Sequence, residues 1–266
     1  MNMNEVAGNL LIKVREQKPL VHNITNFVVM NYTANALLAC GASPVMAHAK
    51  EEVEEMVQIA NALVLNIGTL EPAWVQAMDL AAEKASRKGI PVVLDPVGAG
   101  ATRYRTETAK GLLQKGYVSV VRGNSSEILA LSDEKARTRG VDALHETEDA
   151  VGVAMEIART YHTIVAVTGP VDLVTDGETI LRIRNGHPLM GKVTGTGCTA
   201  TAIIGAFCGV TTDYLVATAS ALAYFGAVGE VAARTVSTPG SYMIALLDTL
   251  YSLSPEDLIR QVKIDT

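Results

Sequence analysis

Short apolar runs rich in Val, Ile and Leu recur through the first two-thirds of the chain, separated by stretches whose apolar residues fall at helical spacing. The runs Leu20–Asn23, Pro44–Ala47, Ala62–Ile67 and Pro91–Asp95 have the length and β-branched content of strands. Ser119–Arg122, Thr163–Thr168, Val171–Thr175 and Thr179–Ile183 continue the series. Between them Pro72–Lys88 sets Ala77, Leu80, Ala81 and Ala85 at helical spacing, and Gly89 follows as a helix-ending glycine. Strand and helix in alternation predict a parallel sheet covered on both faces. Thr175-Asp176-Gly177-Glu178 reads as a tight hairpin, which adds antiparallel strands at a sheet edge. After Gly197 the pattern changes, and up to Leu250 only Ala-rich helical stretches appear. No repeat and no low-complexity linker interrupts the chain, so residues 1–266 read as one domain, α/β first and helical last. A glycine-rich turn stands at the join, and that is where chemistry is expected.

Composition narrows the class. Hydrophobic residues are 48% of the chain and charged residues 19%, which fits a well-cored globular protein and excludes a disordered one. The net charge of −6 comes without a basic cluster, against the cationic surface that nucleic-acid binding requires. Cys40, Cys198 and Cys208 are odd in number and lack C-x-x-C spacing, so a reducing compartment fits better than a disulfide or zinc framework. The N-terminus lacks the basic start and apolar stretch of a signal peptide. The uncharged run from Val193 to Thr212 is mostly Gly, Thr and Ala, too weakly apolar to favour lipid. These features predict a soluble cytoplasmic protein with no membrane partner.

Two glycine motifs resemble nucleotide loops and fail on detail. Gly186-His187-Pro188-Leu189-Met190-Gly191-Lys192 continues with Val193 where a P-loop needs Ser or Thr, and Pro188 removes a backbone donor. Gly195-Thr196-Gly197-Cys198-Thr199-Ala200 fits a dinucleotide fingerprint, but a helical block follows it where a βαβ unit should continue. The physics of the second turn survives: two glycines let successive N–H groups converge, and the helix beginning near Cys198 adds its free amides and dipole. An anion hole for a phosphoryl group and an ordinary strand-to-helix turn fit this segment equally. Cys198, in the first helical turn, reads either as a thiol whose pKa the dipole depresses or as a small buried residue.

Polar residues gather at the ends of the strand runs. Asp95 closes Val92-Val93-Leu94 before Pro96-Val97-Gly98-Ala99-Gly100, on the side where open α/β sheets bind ligands. Capping of the next turn is its alternative role. Glu127 lies three residues after Asn124, the spacing of a capping box. In the functional reading, Asp95, Asn124 and Glu127 surround a hydrated Mg²⁺, with Arg122 beside polyphosphate oxygens and Thr168-Gly169 against a nucleotide. His22 and His48 border the same rim, where they would touch substrate; His145 and His162 read as surface or helix-end residues, and His187 receives no role.

These segments together resemble the hydroxyethylthiazole kinases. The resemblance rests on Leu20-Val21-His22-Asn23-Ile24-Thr25-Asn26, Gly41 through Ala47, Leu65-Asn66-Ile67-Gly68-Thr69, Leu94 through Gly100, Arg122-Gly123-Asn124 through Glu127, and Thr194-Gly195-Thr196-Gly197-Cys198. They occur in the family's order over nearly the whole chain. The resemblance implies a ribokinase-like, three-layer α/β/α fold with a mostly parallel sheet and antiparallel edge strands. It implies transfer of the ATP γ-phosphate, with Mg²⁺, to the hydroxyl of 4-methyl-5-(2-hydroxyethyl)thiazole in thiamine biosynthesis or salvage. It further implies that Met46 and Gly195 border the thiazole, that Asn26, Gly68 and Thr69 complete its pocket, and that Arg122 and Thr168 contact ATP. Asn124 and Glu127 correspond to the superfamily's N-x-x-E element, which organises Mg²⁺ and phosphate. A homotrimer with active sites at subunit boundaries is also implied.

One position departs from the wider superfamily, which commonly carries G-x-G-D with the Asp as catalytic base; here Cys198 stands in its place, as in the thiazole kinases. Cys198 therefore speaks against two relatives of the same fold, an ATP-dependent NAD(P)H-hydrate dehydratase and a hydroxymethylpyrimidine kinase. A regulator that senses nucleotide without turnover would be expected to lack Asp95, Glu127 or the glycine turn, and all are present.

Overall fold

A computed structural model describes residues 2–132 and 150–265, and all structural statements below concern those residues; His145 lies outside them. One nine-stranded sheet runs through the molecule in the order β2-β1-β3-β4-β5-β6-β7-β8-β9. Its strands are β1 Leu20–Ile24, β2 Ser43–Val45, β3 Ala62–Asn66, β4 Val92–Asp95, β5 Val120–Asn124 and β6 Ile164–Thr168, followed by β7 Asp172–Thr175, β8 Ile180–Ile183 and β9 Ile264–Asp265. The first six pair in parallel. The last three are antiparallel, β7 and β8 being joined by the expected Asp-Gly turn. The two-residue β9 has no counterpart in the sequence reading, because only its distant partner β8 defines it.

Alternation along the strands sorts the core into two halves. Val21, Val64, Val93, Val120 and Ala166 pack with α1 Met3–Gln17, α2 Met30–Cys40, α8 Thr196–Cys208, α9 Tyr214–Ala232, α10 Pro239–Ser252 and α11 Pro255–Gln261. Leu63, Leu65, Leu94, Val121 and Val165 pack on the opposite face with α3 Val53–Ile59, α4 Pro72–Lys88, α5 Arg103–Gln114, α6 Ser125–Leu131 and α7 Val151–Tyr161. Burial on both faces is why the central strands read as unbroken apolar runs. The result is a three-layer α/β/α arrangement. The predicted helix Pro72–Lys88 is observed with those bounds, and Gly89 ends it at φ +79°. Ala77, Ala81 and Ala85 are buried, whereas Leu80 is exposed: the packed stripe is narrower than the spacing implied.

Every parallel strand from β3 to β6 ends at the same rim with a polar residue, Asn66, Asp95, Asn124 and Thr168. Register fixes their neighbours: Asn66 lies opposite Asp95, and Asn124 opposite Thr168. Helix α8 crosses β1, β3 and β4 on the way to that rim. It lies so close that a Cβ on Gly205 would meet Val64 Cγ2 at 2.8 Å. The most apolar long helix, α9, passes the length and hydropathy test for a membrane span, but 78% of that window is buried inside the protein.

Candidate active site

At the centre of the rim Asp95 is fully buried. Its Oδ2 accepts hydrogen bonds from Asn66 Nδ2 at 3.0 Å and Thr201 Oγ1 at 2.8 Å. Its Oδ1 has no hydrogen-bond partner among the described residues and lies 3.8 Å from Arg122 Nη1. Loss of hydration pushes the Asp95 carboxyl up to about 6, with Glu127 adding to the rise and Arg122, Thr201 and Asn66 opposing it. Asn66 extends the network outward, since its Oδ1 accepts from Asn26 Nδ2 at 2.8 Å and from Gly68 N at 2.9 Å. Asn26 Nδ2 also lies 3.5 Å from Cys198 Sγ. One chain of polar contacts thus connects the loops after β1 and β3 with Asp95 and the start of α8.

Arg122 points from β5 along the same rim and donates through Nη2 to Thr168 Oγ1. Its guanidinium rests against α8, where a Cβ on Gly197 would meet Nη1 at 2.8 Å. The glycine turn therefore works differently from the expectation. Gly195 caps the helix in the left-handed region at φ +89°, but Gly197 is already helical, and its missing side chain makes room for Arg122. The helix begins at Thr196, two residues before the expected position. Its first amides have no intrahelical acceptor, and Thr196 and Gly197 line a cavity of about 530 Å³ together with Arg122 and Thr168.

Glu127 and Asn124 form the capping box that their spacing suggested, Asn124 N donating to Glu127 Oε2 and Glu127 N to Asn124 Oδ1. The box does not exhaust the acid. Glu127 Oε1 accepts from Gly98 N at 2.9 Å, which ties α6 to the loop after β4, and the charge of Glu127 is felt at Asp95. Arg105 secures the other side of that loop, donating to Val97 O at 2.7 Å, Ile67 O at 2.9 Å and Gly68 O at 2.8 Å.

The thiol of Cys198 departs from the dipole-based expectation. Burial, and then the Asp95 charge, push it up to about 11, outweighing the opposing effect of Asn66, Asn26 and Arg122. Cys40 and Cys208 are buried free thiols, as expected. His22 Nε2 lies 2.7 Å from Ala47 O, and burial lowers its pKa, so the neutral ring donates to that carbonyl and holds the segment bearing half-buried Met46. His48 stacks on Trp74 at 4.4 Å, and Phe27 packs on the same indole at 4.8 Å. Thr69 is half-buried just beyond Gly68. His162 ends α7 as an exposed cap.

Asn26, Gly68, Asp95, Cys198, Arg122, Thr168, Gly197, Asn124 and Glu127 are therefore joined by direct contacts, while Met46 and Thr69 sit on the flanking loops. The sequence reading missed the far wall. The rejected P-loop segment is a loop and a 3₁₀ turn over Pro188–Lys192, and its Gly186, His187 and Met190 line the cavity with Asp172, Leu222 and Phe225. Asn66, Thr201 and Arg105 were also missed. Asn66 had a signal, a polar residue closing an apolar run beside Asp95; the other two had none before the helices were placed.

The family profile described as "Hydroxyethylthiazole kinase family" matches residues 11–256. A hydroxyethylthiazole kinase of Desulfotalea psychrophila is 56% identical over 263 residues, covering 99% of this chain and 96% of that protein. The solved structure of the hydroxyethylthiazole kinase protein from Pyrococcus horikoshii OT3 superposes with a TM-score of 0.90 at 49% identity, covering 98% of both chains. A ribokinase-like superfamily protein of Enterococcus faecalis shares the fold, with a TM-score of 0.61 at 14% identity over 89% of this chain and 87% of that one.

Proposed function

The chain belongs to the hydroxyethylthiazole kinase family, and from that membership we propose that it transfers the γ-phosphoryl group of ATP, with Mg²⁺, to the hydroxyl of 4-methyl-5-(2-hydroxyethyl)thiazole. Thiamine biosynthesis or salvage is the setting that this product suits. The observation that carries the reading is the convergence of Arg122 and the free amides of α8 on one cavity, beside the polar chain Asn26–Asn66–Asp95.

The triphosphate enters along Arg122 and Thr168 and presents its terminal phosphorus to the amides of Thr196, Gly197 and Cys198. The thiazole alcohol lies on the opposite side, between Met46, Asn26, the Gly68-Thr69 loop and Gly195. Its hydroxyl oxygen forms the new bond to phosphorus as the bond to ADP breaks, and the hydroxyl proton passes by way of a phosphate oxygen to water. Negative charge on the moving group is met by donors already in position, which is most of what phosphoryl transfer requires. A thiol near 11 is protonated at neutral pH, so Cys198 acts through position and does little as a base.

Mg²⁺ fits this donor set. Asp95 Oδ1 is a buried acceptor without a hydrogen-bond donor among the described residues, Glu127 is close enough to raise its pKa, and Mg²⁺ prefers one or two carboxylates with water and phosphate oxygens. Asp95 and Glu127 would hold the ion, with Asn124 keeping Glu127 in place. Bound there, the ion neutralises phosphate charge.

A homotrimer with its sites at subunit boundaries is supported by an exposed apolar face. Leu38 on α2 and Met243, Ile244 and Tyr251 on α10 are exposed, and Tyr32 Oη donates to Met243 O across the two helices. Phe27 and Val28, beside Asn26, carry exposure to the edge of the pocket. The chain acts as one domain in the cytoplasm, a reading supported by one continuous sheet and three free thiols. The test is incubation with ATP, Mg²⁺ and a panel of heteroaromatic alcohols, read by mass spectrometry. The thiazole alcohol should gain one phosphate; phosphorylation of pyrimidine methanol in its place would overturn the substrate assignment.

A further inference from the structure

The cavity contains one acid that neither the polar chain nor the phosphate donors use. Asp172 opens β7, next to the strand that ends in Thr168. It is half-buried and takes one hydrogen bond among the described residues, from Gly169 N to Oδ1 at 2.9 Å. A carboxylate has about four acceptor directions, so this one retains unused capacity at the cavity wall. A carboxylate on a cavity wall with acceptor directions to spare suits a ligand that brings donors to it.

Its surroundings narrow the ligand's chemistry. The lining includes Arg122, Thr168 and Gly197, suited to phosphate, and Pro188, Leu222 and Phe225, suited to an apolar ring face. Its hydrogen bond from Gly169 ties Asp172 to the residue after Thr168, beside the phosphate-binding residues, yet its own charge repels phosphate oxygens. A neutral group with hydroxyl donors is its natural partner. In a nucleotide the sugar stands between phosphate and base and carries two vicinal hydroxyls.

We propose that Asp172 accepts hydrogen bonds from the ribose hydroxyls of the phosphoryl donor, and that it makes the enzyme prefer ribonucleotides to deoxyribonucleotides. The inference rests on the reading of this cavity as the nucleotide site and assigns it a specificity-determining residue. A hydrogen bond to a charged acceptor changes affinity by about tenfold or more, so the preference should be of that order.

Calorimetric titration tests this without relying on turnover. ADP, 2′-deoxy-ADP, 3′-deoxy-ADP and GDP are titrated into the wild-type protein, Asp172→Ala and Asp172→Asn, with melting temperature as the check on folding. Wild type should bind ADP at least about tenfold tighter than one of the deoxy analogues. In Asp172→Ala the ratio should fall to within about twofold, as expected when the charged acceptor is gone. Asp172→Asn keeps the shape with a weaker acceptor and should show a reduced ratio even if the alanine variant does not fold. Equal binding by wild type, or a ratio unchanged in the variants, refutes the assignment. So does loss of ADP-over-GDP discrimination with the sugar ratio intact, because the acid then reads the base. Failure of ADP to bind wild type at all removes the nucleotide reading of the cavity, and the proposal with it.

Discussion

Asn66→Ala is the sharpest probe of the polar chain. Asn66 is 1% exposed and its side chain makes three hydrogen bonds, to Asn26, Gly68 and Asp95. The two neutral bonds contribute about 1 kcal/mol each and the charge-assisted bond to Asp95 about 1.5–3 kcal/mol, so truncation should destabilise by about 4 kcal/mol. In a chain of this size that lowers Tm by roughly 8–16 °C. Activity should fall further than stability explains, because Asp95 loses a donor that orients it and Asn26 loses the bond that sets it near Cys198. The expected result is a drop in kcat of about tenfold or more at a temperature where the variant is fully folded, consistent with a displaced reacting group. Asn66→Asp separates the contributions. It keeps an acceptor for Asn26 and Gly68 but exchanges the donor for a charge facing Asp95, so kcat should fall as far with a different stability. Calorimetric melting and a coupled ADP-release assay read both quantities. A loss below about 1 kcal/mol with unchanged kcat would show that the three bonds do not organise the site.

At pH 8 a thiol held at about 11 is thiolate in about one molecule per thousand, so Cys198 should react with iodoacetamide about a hundredfold more slowly than a free cysteine; a free-cysteine rate would contradict its burial. Cys198→Asp should remain active, since position and charge stabilisation carry the transfer, and a folded but inactive variant would show that the thiol itself is needed. Gly197→Ala places a Cβ 2.8 Å from Arg122 Nη1 and should raise the KM for ATP severalfold with little change in Tm; unchanged kinetics would mean that Arg122 can move aside without consequence. Asp172 is pushed up to about 6 by burial, so the folded state binds the extra proton between its unfolded value near 4 and pH 6, and stability falls as pH rises through that window. Asp172→Asn should therefore melt above wild type at pH 7, keep about half of that advantage at pH 5 and lose the rest below about pH 4; a pH-independent difference would refute this.

The parallel strands were legible because each is buried on both faces and so forms an unbroken apolar run, ended by the polar residue that belongs to the rim. Asp95, Asn124 and Thr168 were found this way. The Asp-Gly hairpin and the Gly89 helix end were legible because turn chemistry is local. The far wall was not. Gly186 to Lys192 carries a phosphate-loop pattern that its proline and valine contradict, and its role comes from packing against α9, where a Cβ on Gly226 would meet the Asn185 carbonyl carbon at 2.6 Å. Nothing near residue 187 encodes that approach. Of the two readings open for Cys198, the structure favours the buried thiol: the helix terminus is visible in sequence, whereas the burial and the Asp95 charge that raise its pKa arrive from other elements.

Asp95 and Asp172 share a physical signature that bears on function more directly than any motif. Both are carboxylates pushed up to about 6 by burial, and each would make the folded protein more stable if it were neutral. A structural acid is ordinarily given enough donors to lower its pKa; here Asp95 Oδ1 has no donor among the described residues, and Asp172 takes a single hydrogen bond from the protein. The Arg122 charge moderates both, from 3.8 Å at Asp95 Oδ1 and from farther off at Asp172. Such an arrangement suits the occupancy proposed above, with a polyanion on the arginine, a cation beside one acid and hydroxyl donors beside the other. The missing stabilisation would then come from the ligand. The acids would be best satisfied when nucleotide and metal are in place, so binding and assembly of the site are one event.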